Sequence, residues 1–327
     1  MTLVGIVGAG SIGLGWSIVF ARSGASVRLY DVDTVARCRA VDQLSRRLDE
    51  LHRNGLLDEP VANVFARIEF VDELDQAVAE AAWVQECVVE DLAVKQELFR
   101  TIDPLTRADA VLASSTSMIS ASRWAAGLPG RDRCVVVHPG NPPYLLPIAE
   151  IVPAPFTASS TVSRAYEVLR EAGMTPVLVH GEPEGFVFNR LQGALLREAY
   201  CLVRDGVASP ADIDRVISSG PGRRWAVLGP FATAHLNTRG GIRRHAGVMG
   251  PAYARMGAER GQDDPWTDDL VASVADDVAE RLPLDDWDDD VLRRDAALMQ
   301  LERARRAANE IFAPFDSTPE SHAGPTG

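Results

Sequence analysis

His138 and Glu150 are the first residues in this sequence whose types and spacing suggest catalysis. His138 ends the apolar run Cys134–Val137, and Glu150 lies inside a second apolar run, Pro147–Pro153. A carboxylate in such a run is expected to have a partner or a shifted pKa. The separation of twelve residues lets the chain return alongside itself, and a neighbouring carboxylate raises the basicity of an imidazole and fixes its tautomer. The pair therefore predicts a general base, with a structural loop histidine as the alternative.

A cluster of hydroxyl side chains follows another predicted strand. Ser114, Ser115, Thr116 and Ser117 come directly after an apolar run that begins at Ala110. In a parallel sheet, ligands bind at the carboxyl ends of the strands. The sequence therefore predicts that these hydroxyls and the histidine share one edge of a sheet. Ser117 has a simpler alternative role, which is to cap a helix that begins nearby.

The N-terminus has the pattern of a β-α-β unit. The run Leu3–Val7 is typical of a buried strand, a helical stretch extends to Ala21, and a second strand is predicted over Ser26–Tyr30. Between the first strand and the helix stands GAGSIG, a GxGxxG pattern in its proper context. A glycine-rich turn of an unrelated α/β fold is the alternative.

Each residue of this motif has a physical role in binding a dinucleotide. Gly8 permits the tight turn, Gly10 lets a pyrophosphate approach the backbone, and Gly13 lets the helix pack against the strand. Asp31 follows the second strand, where it would bind the adenosine ribose and repel a 2′-phosphate, which predicts NAD rather than NADP. Because the helix N-terminus offers free N–H groups to phosphates, the predicted contacts of the motif are Gly8, Gly10, Ser11, Ile12 and Gly13.

Strands and helices alternate through the rest of the N-terminal half. Further strands are predicted from Ala82, over Ala110–Ser114 and over Cys134–Val137, with an amphipathic helix over Val94–Ile102. This alternation predicts a parallel, doubly wound sheet. From Gly185 onward the sequence has helical patterns and no convincing strand.

The predicted fold class is therefore α/β, an N-terminal Rossmann-type doubly wound sheet with a C-terminal all-α domain. The predicted domains are an NAD-binding domain at residues 1–183 and a helical substrate and dimerisation domain at 184–313. Residues 314–327 are rich in Ser, Pro, Thr and Gly and are expected to be disordered.

Six motifs, in this order and spacing, resemble the L-3-hydroxyacyl-CoA dehydrogenase superfamily. They are Gly8–Gly13, Glu90–Lys95, Ser114–Ser117, His138–Pro143, Glu150–Ile151 and Gly185–Arg190. Details resemble its lambda-crystallin and L-gulonate 3-dehydrogenase branch. Ser115 stands where acyl-CoA enzymes usually carry Asn, the histidine motif reads HPGNPPY, and Gly220–Trp225 reads GPGRRW.

The resemblance implies a role for each matching residue. His138 would be the general base with Glu150 as its partner, Ser117 and Asn189 would hold the reacting oxygen, and Asn141 would line the same pocket. Glu90 and Lys95 would contact the nicotinamide-side ribose. Lys95 is the one lysine among 33 basic residues, and a compact ammonium suits a ribose hydroxyl.

The implied activity is NAD-dependent oxidation of the 3-hydroxy group of a small, L-gulonate-like L-3-hydroxy acid to the 3-keto acid, by a homodimer. The carboxylate of such a substrate needs a partner, and Arg224 is the candidate. A structural arginine or a dimer contact at that position is an equal alternative.

Three other functions remain open. An L-3-hydroxyacyl-CoA dehydrogenase, acting for example on 3-hydroxybutyryl-CoA, is disfavoured because a lysine-rich CoA-facing segment is missing. A 6-phosphogluconate-type enzyme would need a catalytic lysine near Asn189, and there is none. A non-enzymatic, lens-type protein would not require the catalytic set.

Composition excludes several other classes. The net charge of −13 over 327 residues argues against nucleic-acid or membrane-surface partners. Residues 1–21 are uncharged but rich in glycine, so a membrane anchor is not expected. Four scattered cysteines indicate a reduced, cytoplasmic protein. Residues 262–295 hold 13 acidic and 3 basic side chains, which are predicted to be helix surface, so no metal is expected.

Overall fold

The computed structural model describes residues 2–226, 229–237, 239, 241–260, 269, 285 and 287–312. The chain divides into two compact units. The first takes Met1–Arg190 and, from the last helix, the part that begins at Asp295, and the second is Leu191–Arg294. The predicted boundary between residues 183 and 184 stays a prediction. The tail at 314–327 and most of the acidic segment at 262–295 lie outside the described residues.

Eight strands of the described chain form one sheet in the first unit, in the order β3-β2-β1-β4-β5-β6-β7-β8. Neighbouring strands are parallel except β6 and β7, which are antiparallel. The strands are β1 (Leu3–Val7), β2 (Ser26–Tyr30), β3 (Ile68–Phe70), β4 (Trp83–Glu86), β5 (Val111–Ser114), β6 (Cys134–Pro139), β7 (Ile148–Pro153) and β8 (Thr175–Leu178).

Helices cover both faces of this sheet. Two hydrophobic clusters contain alternate residues of the same strands, for example Trp83 in one and Val84 in the other. Because successive side chains of a strand point to opposite faces, the clusters lie on the two sides, which explains the continuous apolar strands in the sequence. The helices of this unit are α1 (Ser11–Arg22), α2 (Thr34–Arg53), α3 (Val61–Phe65), α4 (Leu74–Val78), α5 (Leu92–Ile102), α6 (Ala121–Trp124) and α7 (Ser159–Glu171).

The described part of the second unit is helical. One helix is capped at its N-terminus by Ser209, whose side chain accepts a hydrogen bond from the backbone N–H of Asp212, and Pro210 begins the helix. The remaining helices are α8 (Phe188–Arg204), which begins in the first unit, α9 (Pro210–Ser219), α10 (Pro221–Trp225), α11 (Pro230–Asn237), α12 (Gly241–Glu259) and α13 (Trp287–Phe312), whose residues from Asp295 belong to the first unit.

Candidate active site

The β6–β7 pair places His138 directly beside Glu150. The two residues are register partners in the antiparallel ladder, so their side chains project from the same face. His138 Nδ1 lies 2.7 Å from Glu150 Oε2. The histidine is 5% exposed and the glutamate 2%. The twelve-residue spacing predicts that the chain returns alongside itself between these residues, and the return is this hairpin.

Glu150 is held as an ionised carboxylate. Its second oxygen, Oε1, accepts hydrogen bonds from the backbone N–H groups of Val187 and Phe188 at 2.8 and 2.9 Å. Burial acts to raise the pKa of Glu150, but the hydrogen bonds from His138, Phe188 and Val187 outweigh it and hold that pKa below its usual range. An ionised carboxylate only accepts hydrogen bonds. This network therefore assigns the imidazole hydrogen to Nδ1 and leaves the lone pair of His138 Nε2 available to take a proton.

The start of α8 reaches Glu150 through an unusual backbone turn. Gly185 has a φ of 75° and Phe186 a φ of 51°, both in the left-handed region. For a bulky residue such as Phe186 this conformation is strained and is found mostly at functional sites. The ring of Phe186 lies 5.6 Å from the imidazole of His138, and the ring of Phe188 lies 6.0 Å from it. The turn therefore supplies both hydrogen-bond donors for the carboxylate and apolar walls for the histidine.

Ser117 and Asn189 are in contact. The Asn189 side-chain amide donates a hydrogen bond of 3.1 Å to the backbone carbonyl of Ser117. Asn189 directly follows Phe188, whose N–H binds Glu150. The structure thus connects all four predicted catalytic residues through hydrogen bonds and one peptide link, although their catalytic roles stay predictions.

Glu90 organises the turn that carries Ser117. Its Oε1 accepts hydrogen bonds from the N–H groups of Ser117 and Met118, at 2.9 and 3.0 Å, and from the hydroxyl of Thr116. The Thr116 oxygen in turn accepts from the N–H of Ile119 at 2.9 Å. Thr116 therefore caps this turn, which is the role that the sequence offered as an alternative for Ser117.

Lys95 lies in a buried ion pair that sequence reasoning missed. Its Nζ is 2.8 and 3.0 Å from the two oxygens of Glu86 and 3.3 Å from Glu90 Oε2. Glu86 also accepts hydrogen bonds from Ser114 Oγ and from the N–H of Val88. The signal was present, because Glu86 stands in an apolar strand as Glu150 does. The ribose contacts of Glu90 and Lys95 stay predictions.

The glycine motif fits a dinucleotide. Gly8 has a φ of 111°, and a Cβ there would lie 2.5 Å from the carbonyl oxygen of Cys87. A Cβ on Gly13 would lie 1.8 Å from the Gly8 carbonyl, whereas one on Gly10 would project into open space. The three positions match the turn, the close packing and the approach of a ligand to the backbone.

The neighbouring residues complete this site. β1 pairs with both β2 and β4, so the motif lies at the topological switch point where doubly wound sheets bind nucleotides. Asp31 directly follows β2, and its Oδ2 accepts a hydrogen bond of 2.7 Å from the N–H of Ala9. Arg47 donates to both the carbonyl and the hydroxyl of Ser11, at 3.1 and 3.3 Å. Ile12, partly exposed, follows in the first turn of α1. A carboxylate for the ribose and a helix N-terminus for the pyrophosphate are thus both present.

Two predicted substrate residues lie outside these contacts. Asn141 is exposed and follows β6, and Arg224 is exposed on α10 of the second unit. Their roles stay predictions. A cavity of about 790 Å³ lies elsewhere, toward the C-terminal end of α5, and none of the predicted site residues lines it.

Two further searches cover the described part of the chain. It contains no group of three or more His, Cys, Asp or Glu side chains arranged for a metal ion. None of its helices combines the length and apolar character needed to cross a membrane.

Comparisons with known proteins agree with this geometry. The family model of the 3-hydroxyacyl-CoA dehydrogenase NAD binding domain matches residues 3–182, and that of the C-terminal domain of the same family matches residues 185–275. The human lambda-crystallin homolog is 36% identical over 307 residues, which covers 90% of this chain and 95% of the relative.

An enzyme and a solved structure extend the comparison. The L-carnitine dehydrogenase of Oceanobacillus iheyensis is 34% identical, covering 86% of this chain and 88% of that protein. The crystal structure of 5-formyl-3-hydroxy-2-methylpyridine 4-carboxylic acid 5-dehydrogenase, an NAD⁺-dependent dismutase, covers 94% of this chain and 98% of its own, with 30% identity and a TM-score of 0.79. The chain therefore belongs to the lambda-crystallin branch of the 3-hydroxyacyl-CoA dehydrogenase family and is an NAD-dependent dehydrogenase that acts on a CH–OH group.

Proposed function

We propose that this protein oxidises the 3-hydroxy group of a small, L-gulonate-like L-3-hydroxy acid to the 3-keto acid, with His138 as the general base. The observation that carries the proposal is the His138–Glu150 pair, whose hydrogen bond of 2.7 Å leaves Nε2 free to accept a proton. Nε2 takes the proton of the substrate hydroxyl, and the ionised Glu150 stabilises the imidazolium that forms. When bound, NAD would supply the acceptor for the hydride that leaves the carbon carrying this hydroxyl.

Ser117 and Asn189 orient the reacting oxygen in this proposal. The Asn189 side-chain amide donates a hydrogen bond to the Ser117 backbone carbonyl, so the two residues lie side by side at this site. Holding the oxygen beside the base supplies the orientation that a dehydrogenase needs. The predicted pocket residue Asn141 follows His138 closely in the chain, which supports a place near the substrate.

A free hydroxy acid is favoured over a CoA ester as the substrate. The relative named L-carnitine dehydrogenase acts, by its name, on a free 3-hydroxy acid. Ser115 and the sequence His138-Pro139-Gly140 both differ from the pattern of acyl-CoA enzymes, which also favours a free acid. The substrate carboxylate requires a charged partner in a dry site, and Arg224 is the proposed one. An L-3-hydroxyacyl-CoA such as 3-hydroxybutyryl-CoA is the second candidate, supported by the family model.

The substrate proposal is tested by comparing four candidate substrates directly. L-gulonate, L-carnitine, 3-hydroxybutyrate and 3-hydroxybutyryl-CoA are assayed side by side with NAD, following NADH formation. The proposal expects the highest kcat/KM for one of the free acids. Preference for 3-hydroxybutyryl-CoA would replace the free-acid proposal with the second candidate.

The role of His138 is tested by His138→Ala. Loss of a general base lowers kcat by about 10²–10⁴-fold, while the affinity for NADH, measured by fluorescence titration, is unchanged. His180→Ala is the matched control, because His180 is exposed and lies in the same unit. A His138→Ala enzyme with nearly normal kcat would show that another group takes the proton.

The proposed cellular form is a cytoplasmic homodimer. All four cysteines are free thiols, which suits a reducing compartment. The helical second unit exposes several large apolar side chains, which suits association with a second copy.

A further inference from the structure

The Lys95 ammonium lies between two carboxylates. Its Nζ donates hydrogen bonds of 2.8 and 3.0 Å to the two oxygens of Glu86 and forms an ion pair of 3.3 Å with Glu90 Oε2. An ammonium has three N–H donors and no acceptor, and Lys95 is 1% exposed. The ammonium is therefore held between these two carboxylates in the interior of the protein.

Glu86 is the fixed end of this arrangement. It is completely buried, and besides Lys95 it binds the Ser114 hydroxyl and the N–H of Val88. Four hydrogen bonds reach its two oxygens, so its position is set by β4, by the end of β5 and by α5. Lys95 is thus anchored from the interior of the sheet.

Glu90 is the opposite, adaptable end. Its side chain is 40% exposed, and water competes for an exposed carboxylate. Nevertheless its Oε1 accepts three hydrogen bonds from consecutive residues. The donors are the Thr116 hydroxyl and the N–H groups of Ser117 and Met118. The attraction of Lys95 for its other oxygen favours the one position from which Oε1 can bind all three.

We propose that Lys95, with Glu86 as its buried counter-ion, is a positioning residue that holds Glu90 against the Thr116–Met118 turn and thereby places the Ser117 hydroxyl. In this role Lys95 acts through Glu90. The inference rests on the proposed function, because Ser117 matters to the reaction only if it holds the reacting oxygen.

Hydrogen exchange tests the structural part without any reaction. In the protein free of substrate, Lys95→Met and Glu86→Gln are expected to speed exchange at the Ser117 and Met118 amides by at least about tenfold, since these amides open when Glu90 moves. Asp103→Asn is the matched control, because Asp103 is a buried acid paired with Arg133 at 2.6 Å at the other end of α5. Unchanged exchange in the Lys95 and Glu86 variants, or equal acceleration in the control, overturns the inference.

A kinetic cycle with Ser117→Ala tests the functional part. Lys95→Met is expected to lower kcat about tenfold in the native background and to have almost no further effect when Ser117 is already alanine, because residues that act through one group are not additive. Glu90→Gln, at a partly exposed site, gives the same comparison should the buried variants fold poorly. Full additivity would overturn the inference. If Ser117→Ala itself leaves kcat intact, the proposed function fails instead, and the exchange result still decides the positioning.

Discussion

Glu86 and Glu150 are both buried in the first unit, yet their pKa values are shifted in opposite directions. Burial raises the pKa of Glu86, and Lys95, Ser114 and Val88 oppose it only in part. Burial also acts on Glu150, but hydrogen bonds from His138 and two backbone N–H groups prevail, and its pKa is lowered. Glu150 therefore remains an anion beside the base at neutral pH, as the proposed mechanism requires.

A pH dependence of stability follows for Glu150. Because its pKa is lower in the folded protein, its ionised form stabilises the fold above the ordinary value of 4.5, and this contribution is lost as the pH falls through and below that value. The loss of Tm caused by Glu150→Gln is expected to be largest at neutral pH and to shrink below pH 4.5. Thermal unfolding of both proteins across this range measures it, and a difference that grows toward acid would contradict the assignment.

Asp31 is expected to set the choice between NAD and NADP. Its carboxylate would bind the ribose hydroxyls and repel a 2′-phosphate, so the native protein should prefer NAD strongly. Asp31→Asn should lower the ratio of kcat/KM with NAD to kcat/KM with NADP by about tenfold or more. The reason is that hydrogen bonds to charged groups contribute about 1.5–3 kcal/mol. Asp33→Asn is the control, because Asp33 caps α2 through the N–H of Val35. Comparable efficiency of the native protein with both cofactors would exclude this role.

At the scale of elements, the sequence predicted which strands and helices exist better than how they meet. Periodicity and the glycine motif predicted β1, α1 and β2, because the physical signals are local. The antiparallel register of β6 and β7 was not predictable, since a slip of one residue would move Glu150 to the other face. The short strand β3 was also missed.

The same limit applies to the site. Spacing and motif resemblance both predicted the His138–Glu150 pair, but the backbone donors Val187 and Phe188 carry no side-chain signal. Glu86 gave a signal, as a carboxylate in an apolar strand, but its partner Lys95 is recognised only when β4 and α5 are packed. Contacts between elements far apart in sequence are the part that the sequence does not disclose.

Variants of the short helix α10 test how the second unit contributes to substrate specificity. It carries two exposed neighbours, Arg223 and Arg224. Arg224→Met should lower kcat/KM for the best free acid by an amount equivalent to about 1.5–3 kcal/mol, which is the contribution of a charged hydrogen bond. The affinity for NADH should stay unchanged. Arg223→Met is the matched control with the same loss of charge. Steady-state kinetics decide the matter, and equal KM and kcat for native and Arg224→Met proteins would exclude Arg224 as the anchor.

At the scale of the molecule, the second unit exposes apolar surface that an isolated helical domain does not need. Phe231 is 82% exposed and Leu191 64%, and Val216 and Val248 are exposed to a similar degree. In the described residues of α9 and α12 no side chain is buried. Such surface favours burial against a second copy of the chain.

The homodimer is tested by mass. Light scattering after size exclusion should give twice the mass of the chain, 35.4 kDa, for the native protein. Glutamate at Leu191 and Phe231 together should shift the population toward monomer, because it places charge in an apolar interface. Tyr166→Glu on α7 of the first unit, where the side chain is also exposed, should not. A native protein that runs as a monomer at micromolar concentration would contradict the proposal.

The last helix links the two ends of the chain. Met299 of α13 is 4% exposed and belongs to the same hydrophobic cluster as Leu44 and Leu48 of α2, and the Gln300 side chain donates to Asn54 at 2.7 Å. The ribosome makes residues 191–294 between these two parts of the first unit. During translation the α2 part of the first unit's core therefore lacks its contact with α13 until the second unit has been made. A nascent chain arrested before Met299 would carry every predicted catalytic side chain and still lack the methionine that packs in one cluster with Leu44 and Leu48.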